Sequence, residues 1–74
     1  MPNLTRRELD IFRMTGEGMI AEDMIEHLGI NDKTIATYKG RIRDKLGVNM
    51  RRFRRLAFEY AADCRNLDRG LNGR

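Results

Sequence analysis

Apolar residues recur at the three- and four-residue spacing of a helix in four stretches of the chain. The first stretch follows Thr5, and Glu8 stands three residues further on. This spacing predicts a capping box, in which the side chain of each residue bonds the backbone N–H of the other. The stretch ends at "TGEG", residues 15–18, where glycines can adopt the positive φ that terminates a helix. We therefore predict a first helix between these two signals.

Two further helices are predicted close together, because only the sequence "GIN" separates them. The second covers Ile20 to Leu28, and Gly29 ends it. Asn31 is a favourable cap for the third helix, Asp32 to Leu46, and Gly47 ends that helix. The apolar stripe of the third helix consists of Ile35, Ile42 and Leu46. Two helices joined by so short a turn are typical of a helix-turn-helix, whose second helix enters the DNA major groove.

A fourth helix is predicted from Asn49 or Met50 onward. Its apolar positions lie three and four residues apart and are Phe53, Leu56, Ala57, Tyr60, Ala61 and Cys64. The following segment, "NLDRGLNGR", has no periodicity, and we expect it to be a flexible tail. The pattern as a whole predicts an all-α fold: a four-helix domain with a helix-turn-helix over residues 1–65, and a tail over residues 66–74.

The charge of the chain is concentrated in its second half. Residues 1–38 contain four basic and seven acidic side chains, whereas residues 39–74 contain eleven basic and four acidic ones. Within residues 39–55 there are eight basic side chains and a single acidic one, Asp44. A well-solvated helix surface could have this composition, but so concentrated a positive patch favours a nucleic-acid partner.

The composition offers little to an enzyme or a metal site. The 74 residues include no serine, one histidine and one cysteine, and His27 and Cys64 form no recognisable nucleophile or metal-ligand pattern. We therefore predict neither catalysis nor a cofactor. No apolar run is long enough to span a membrane, and the N-terminus lacks the apolar segment of an export signal. We expect the protein in the cytoplasm, at the nucleoid.

Several short motifs resemble one family of DNA-binding domains. They are "LTRRE" at 4–8, Gly18, "HLGI" at 27–30, "TI" at 34–35, Ile42 and "KLGV" at 45–48. Their order and spacing resemble those of the LuxR/NarL/GerE-type domain, without a gap from Leu4 to Val48. The resemblance implies a four-helix domain whose third helix contacts DNA bases and whose fourth helix often forms a homodimer. It also suggests a standalone member of the family, without a sensory domain.

The resemblance assigns roles to individual residues of the third helix. The positions that face the groove are Lys33, Ala36, Thr37 and Gly40. The positions that contact the DNA backbone or flank the groove are Thr34, Tyr38, Arg41 and Lys45. Tyr38 stands where the family usually has histidine, and its hydroxyl could still donate to a phosphate oxygen.

Four further positions depart from the pattern of the family. Ile20 replaces the usual serine cap of the second helix, and Ile25 replaces a small residue within it. Ala36 and Gly40 lack the long polar side chains that form paired hydrogen bonds to a base. Gly40 also lowers helix stability by roughly 1 kcal/mol relative to alanine. Gly40 therefore indicates either a close approach to DNA or a weakened recognition of bases.

The expected partners are double-stranded DNA and a second copy of the chain. The six apolar residues of the fourth helix are the predicted dimer interface, although the same stripe could instead pack on the core of its own domain. A competing interpretation is a protein-interaction module, a co-regulator or anti-activator with weak DNA binding. That module would use the fourth helix to bind RNA polymerase or another regulator.

Overall fold

The computed structural model describes the backbone of residues 3–72 and the side chains of residues 3–67. It contains four helices, α1 (Arg6–Gly16), α2 (Ala21–Leu28), α3 (Asp32–Leu46) and α4 (Met50–Asn72). The described residues form no strand. The predicted all-α, four-helix fold with a helix-turn-helix at its centre is therefore confirmed.

The ends of the helices follow the local sequence signals. Oε1 of Glu8 accepts from the backbone N–H of Thr5 at 2.8 Å, and Oγ1 of Thr5 accepts from that of Glu8 at 3.2 Å, which completes the predicted capping box. Oδ1 of Asn31 caps α3 by accepting from the N–H of Thr34 at 2.8 Å. Ile20 precedes α2 and makes no side-chain cap, so the first turn of α2 lacks this stabilisation.

The core lies between α1, α3 and α4, and α2 closes it from the side of α3. Its fully buried apolar residues are Ile11, Phe12, Met14, Met24, Ile35, Ile42, Phe53, Ala57 and Ala61. Helices α1 and α4 touch at the backbone near Gly16. A Cβ atom placed on this glycine would lie 1.9 Å from the carbonyl oxygen of Ala57, so only glycine fits there.

Three of the six residues of the predicted dimer interface are buried within the chain itself. Phe53, Ala57 and Ala61 are 0% exposed, and α1 contacts α4 at Phe53 and near Ala57. The ring of Phe12 on α1 lies 5.6 Å from that of Phe53 and 5.4 Å from that of Tyr60, measured between centroids. The other three positions are half-buried and are Leu56, Tyr60 and Cys64. The alternative, that this stripe packs on its own core, holds for the fully buried residues.

Helix α4 is longer than the sequence predicted. Residues 66–72, which we expected to lie beyond the helix, continue it to Asn72. Gly70 lowers helix propensity by about 1 kcal/mol, but no proline or capping turn interrupts the hydrogen bonds of the backbone there. Residues 73 and 74 lie outside the described part of the chain. The division into a domain and a flexible tail stays a prediction.

Candidate nucleic-acid interface

One side of α3 is fixed to the core and the opposite side is exposed. Ile35 and Ile42, which are 2% and 0% exposed, fix the rotation of the helix about its axis. Two left-handed glycines bound it: Gly29, with φ 68°, ends α2, and Gly47, with φ 67°, ends α3 itself. The exposed side chains on the outer face belong to Lys33, Ala36, Thr37, Arg41 and Asp44. The structure therefore brings the predicted groove-facing residues together on one surface.

The first half of this surface contains a shallow depression of about 310 Å³. It is lined by Asn31, Lys33, Thr34, Thr37, Tyr38 and Arg41. Two hydroxyl groups there already have partners within the helix. Oγ1 of Thr34 donates to Oδ1 of Asn31 at 2.9 Å, and Oγ1 of Thr37 donates to the carbonyl oxygen of Lys33 at 3.0 Å. Each threonine oxygen keeps acceptor capacity, and each methyl group is held in a defined direction.

Arg41 and Tyr38 form a pair on the flank of α3. The guanidinium carbon of Arg41 lies 5.9 Å from the centre of the Tyr38 ring, within the range of a cation–π contact. Tyr38 itself is half-buried against the core. The ring therefore holds a positive charge at the edge of the exposed surface.

Ala36 and Gly40 leave the middle of the outer face flat. A Cβ atom on Gly40 would meet one other atom within 4 Å, Nη2 of Arg43, at 4.0 Å. Packing within the chain therefore does not require glycine at this position.

Lys45 has a partner that the sequence did not predict. Its Nζ atom lies 2.7 Å from Oε1 of Glu8 and 3.3 Å from the carbonyl oxygen of Asn3. The Glu8 side chain is 3% exposed. Hydrogen bonds from Lys45 and from the N–H of Thr5 lower the pKa of the Glu8 carboxyl from its ordinary value. Lys45 thus joins α3 to α1, and this ion pair is by itself a structural reason for a lysine at the position.

A second basic surface lies at the start of α4, and residue-level sequence reasoning missed it. Arg51, Arg52 and Arg55 line, with Asn49, a depression of about 480 Å³. Oδ1 of Asn49 accepts from the N–H of Arg52 at 2.9 Å and so caps the helix. The signal in the sequence was the run of positive charge over residues 39–55, but these arginines were not among the predicted DNA-binding residues.

Residues 2–53 match the model of the GerE family, described as bacterial regulatory proteins of the luxR family. The chain belongs to the LuxR family. The LuxR-family match covers α1, α2, α3 and the start of α4, and therefore includes the whole helix-turn-helix. Members carry this domain for DNA binding in transcription regulation, and the exposed basic surface of α3 agrees with that role. Comparison with curated proteins and with solved structures gives no further match.

Neither a metal-ligand cluster nor a membrane-spanning helix occurs among the residues that the structure of this LuxR-family chain describes. No three His, Cys, Asp or Glu side chains come together as ligands for a metal ion. None of the helices combines the length and the apolar character that crossing a membrane requires.

Proposed function

We propose that this protein is a sequence-specific regulator of transcription, which binds duplex DNA with α3 in the major groove. The single observation that carries the proposal is the outer face of α3. This face is exposed and basic in a LuxR-family helix-turn-helix, and Ile35 and Ile42 hold it turned away from the core. The major groove is about 12 Å wide and accepts one helix.

Different residues of α3 serve position and specificity. Lys33 and Thr37 point outward near the start of the helix, where recognition helices contact base edges. Ala36 offers a methyl group that can contact the methyl of a thymine. Thr34, Tyr38 and Arg41 line the flank and contact phosphate oxygens, which fixes the position of the helix without selecting a sequence. Lys45 is left out of this set because it binds Glu8.

A homodimer would form through one flank of α4. Leu56, Tyr60 and Leu67 lie seven or four residues apart, so they share a side of the helix. Leu67 is 70% exposed, and Leu56 and Tyr60 line an apolar groove of about 320 Å³. Burying this flank against a second copy would remove apolar surface from water.

The charges along the same flank suit an antiparallel, two-fold pairing of α4 helices. Arg52 lies before Leu56, and Asp63 follows Tyr60, one helical turn away in each case. An axis near residue 58 places Leu56 of one copy beside Tyr60 of the other, and Arg52 beside Asp63. Such a dimer would present two α3 helices to successive major-groove faces, and its preferred site would be roughly palindromic.

Selection of duplexes from a random pool tests the proposal. The expected result is an enriched, roughly palindromic sequence whose affinity exceeds that of random DNA by about 10³-fold or more. A pool without enrichment would contradict sequence-specific binding. If a regulator or RNA polymerase bound the protein in that case, the competing assignment as a protein-interaction module would replace it. Action on DNA in the cytoplasm, at the nucleoid, is part of the same proposal.

A further inference from the structure

The outer face of α3 lacks a long polar side chain at its centre. Ala36 and Gly40 stand one helical turn apart, and neither can form the paired hydrogen bonds by which arginine or lysine recognises guanine. A helix that selects sequence with Lys33 and Thr37 alone would contact few base pairs. Another side chain is needed at the centre of the groove for strong discrimination.

Arg43 lies beside this gap. Its Nη2 atom is 4.0 Å from the point that the Cβ of residue 40 would occupy. Long side chains on a helix lean toward its N-terminus, and this direction carries Arg43 back by one turn over Gly40. Because Gly40 has no side chain, the guanidinium can rest against the helix there and reach the outer face.

The guanidinium of Arg43 is partly buried and has no acid partner among the described residues. Its Nε atom is buried without a hydrogen-bond partner there, while the residue as a whole is half-buried. Three other basic side chains do have an acid partner: Lys45 with Glu8, Arg13 with Glu17 and Arg55 with Glu59. A planar guanidinium whose stem is held loses less freedom on binding, and its two Nη atoms can bind O6 and N7 of guanine together.

We propose that Arg43 is a base-contacting residue of α3, directed by Gly40 into the centre of the major groove, where it recognises a guanine. The inference rests on the proposed function, because it needs α3 in the groove. It assigns the glycine a role: the position that cannot contact a base makes room for the residue that does.

Binding measurements on the selected duplex and on random DNA test this role. Arg43→Ala should lower the ratio of the two affinities by roughly 5- to 150-fold and remove the preference for one G·C pair in each half-site. Arg43→Lys keeps the charge and the aliphatic stem but lacks the planar fork, so the same preference should weaken in a folded protein. Arg54→Ala, on α4, removes an equal charge and should leave the ratio unchanged.

Substitutions at Gly40 separate this role from a general effect of charge. Gly40→Ala places its Cβ at an ordinary contact distance from Arg43 and should keep the preference. Gly40→Leu fills the space of the guanidinium and should remove the preference for the same G·C pair. Adding Arg43→Ala to Gly40→Leu should then change that preference no further.

The outcomes distinguish the two proposals. A parent protein that prefers no sequence would overturn the proposed function, and the role of Arg43 with it. The other case is a parent that clearly prefers one sequence. If the folded Arg43→Ala and Arg43→Lys variants then keep that preference at every base pair, the role of Arg43 alone is overturned.

Discussion

The Nζ atom of Lys45 lies 2.7 Å from Oε1 of Glu8, a carboxylate in the first helix that is almost completely buried. The two residues are 37 positions apart in the chain, and their contact joins the end of α3 to the start of α1. The same carboxylate caps α1 through the N–H of Thr5. One buried acid thus holds the start of α1 and the end of α3 together.

Lys45→Ala should mainly lower the stability of the fold, whereas Arg41→Ala should mainly weaken DNA binding. Lys45→Ala leaves the buried Glu8 without its charged partner, and we expect the free energy of unfolding to fall by about 1–2 kcal/mol, since Lys45 is partly solvated. Arg41→Ala should preserve stability but weaken binding to all duplexes and reduce the slope of log affinity against log salt by about one unit.

Urea denaturation and salt-dependent binding of both variants check this pair of predictions. The assignment of Lys45 to the fold would be wrong if Lys45→Ala matched the parent in stability and lost affinity as Arg41→Ala does.

Glu8 should make the stability of the protein depend on pH. Lys45 and the backbone of Thr5 bind its charged form, so the folded-state pKa lies below the ordinary value of 4.5. As pH falls, the unfolded chain takes up this proton before the folded one. The contribution is therefore complete above about pH 4.5 and is lost as the pH falls through the folded pKa.

The free energy of unfolding of the parent and of Glu8→Gln should be measured from pH 7 to pH 3. The difference between the two isolates the contribution of Glu8 from those of the other acids. The difference should be constant near neutral pH and shrink below about pH 4.5. A difference that stays constant down to pH 3 would show that the carboxylate charge contributes nothing.

Two glycines in helices should respond in opposite ways to alanine. Gly40→Ala meets only an ordinary contact and should raise the free energy of unfolding by about 1 kcal/mol. Gly16→Ala places its Cβ 1.9 Å from the Ala57 carbonyl, so α1 and α4 must separate, and stability should fall by about 1–3 kcal/mol or more. Thermal unfolding of both variants provides the comparison, and a stabilised Gly16→Ala would refute the close helix contact.

Leu67 and Phe58 provide a matched test of the dimer. Both are exposed on α4, by 70% and 61%, but nine residues place them on opposite sides of the helix. Leu67→Glu introduces a charge into the proposed interface and should shift the protein to monomer in sedimentation experiments. Phe58→Glu should leave the dimer intact. The reverse result would place the interface on the Phe58 side of α4. A parent protein that is monomeric both in solution and on its best DNA site would exclude the homodimer.

The local features of the fold could be predicted because each depends on residues that are close in sequence. The cap by Asn31 and the left-handed glycines at 29 and 47 belong to this group. The pairing of Lys45 with Glu8 could not, because a charge pattern on one helix does not indicate which other helix faces it. The same limit explains α4: its periodicity identified the apolar face with Phe53 and Ala57, but not that α1 covers it.

Some residues of the candidate site could likewise be placed from the sequence, and others could not. The outer position of Lys33 and Thr37 follows from the helical spacing of Ile35 and Ile42. The place of the Arg43 guanidinium depends on a side-chain conformation over Gly40, which spacing alone does not determine.

We propose α3 as the element that binds DNA. NMR can test this residue by residue, by following each backbone amide while the selected duplex is added. The largest shifts should fall on α3 between Lys33 and Arg43, with smaller ones at Asn49 to Arg52, and should be weaker with a duplex of scrambled sequence. Shifts confined to α1, α2 or the Leu56–Leu67 flank of α4, with α3 unchanged, would show that α3 is not the DNA-binding element.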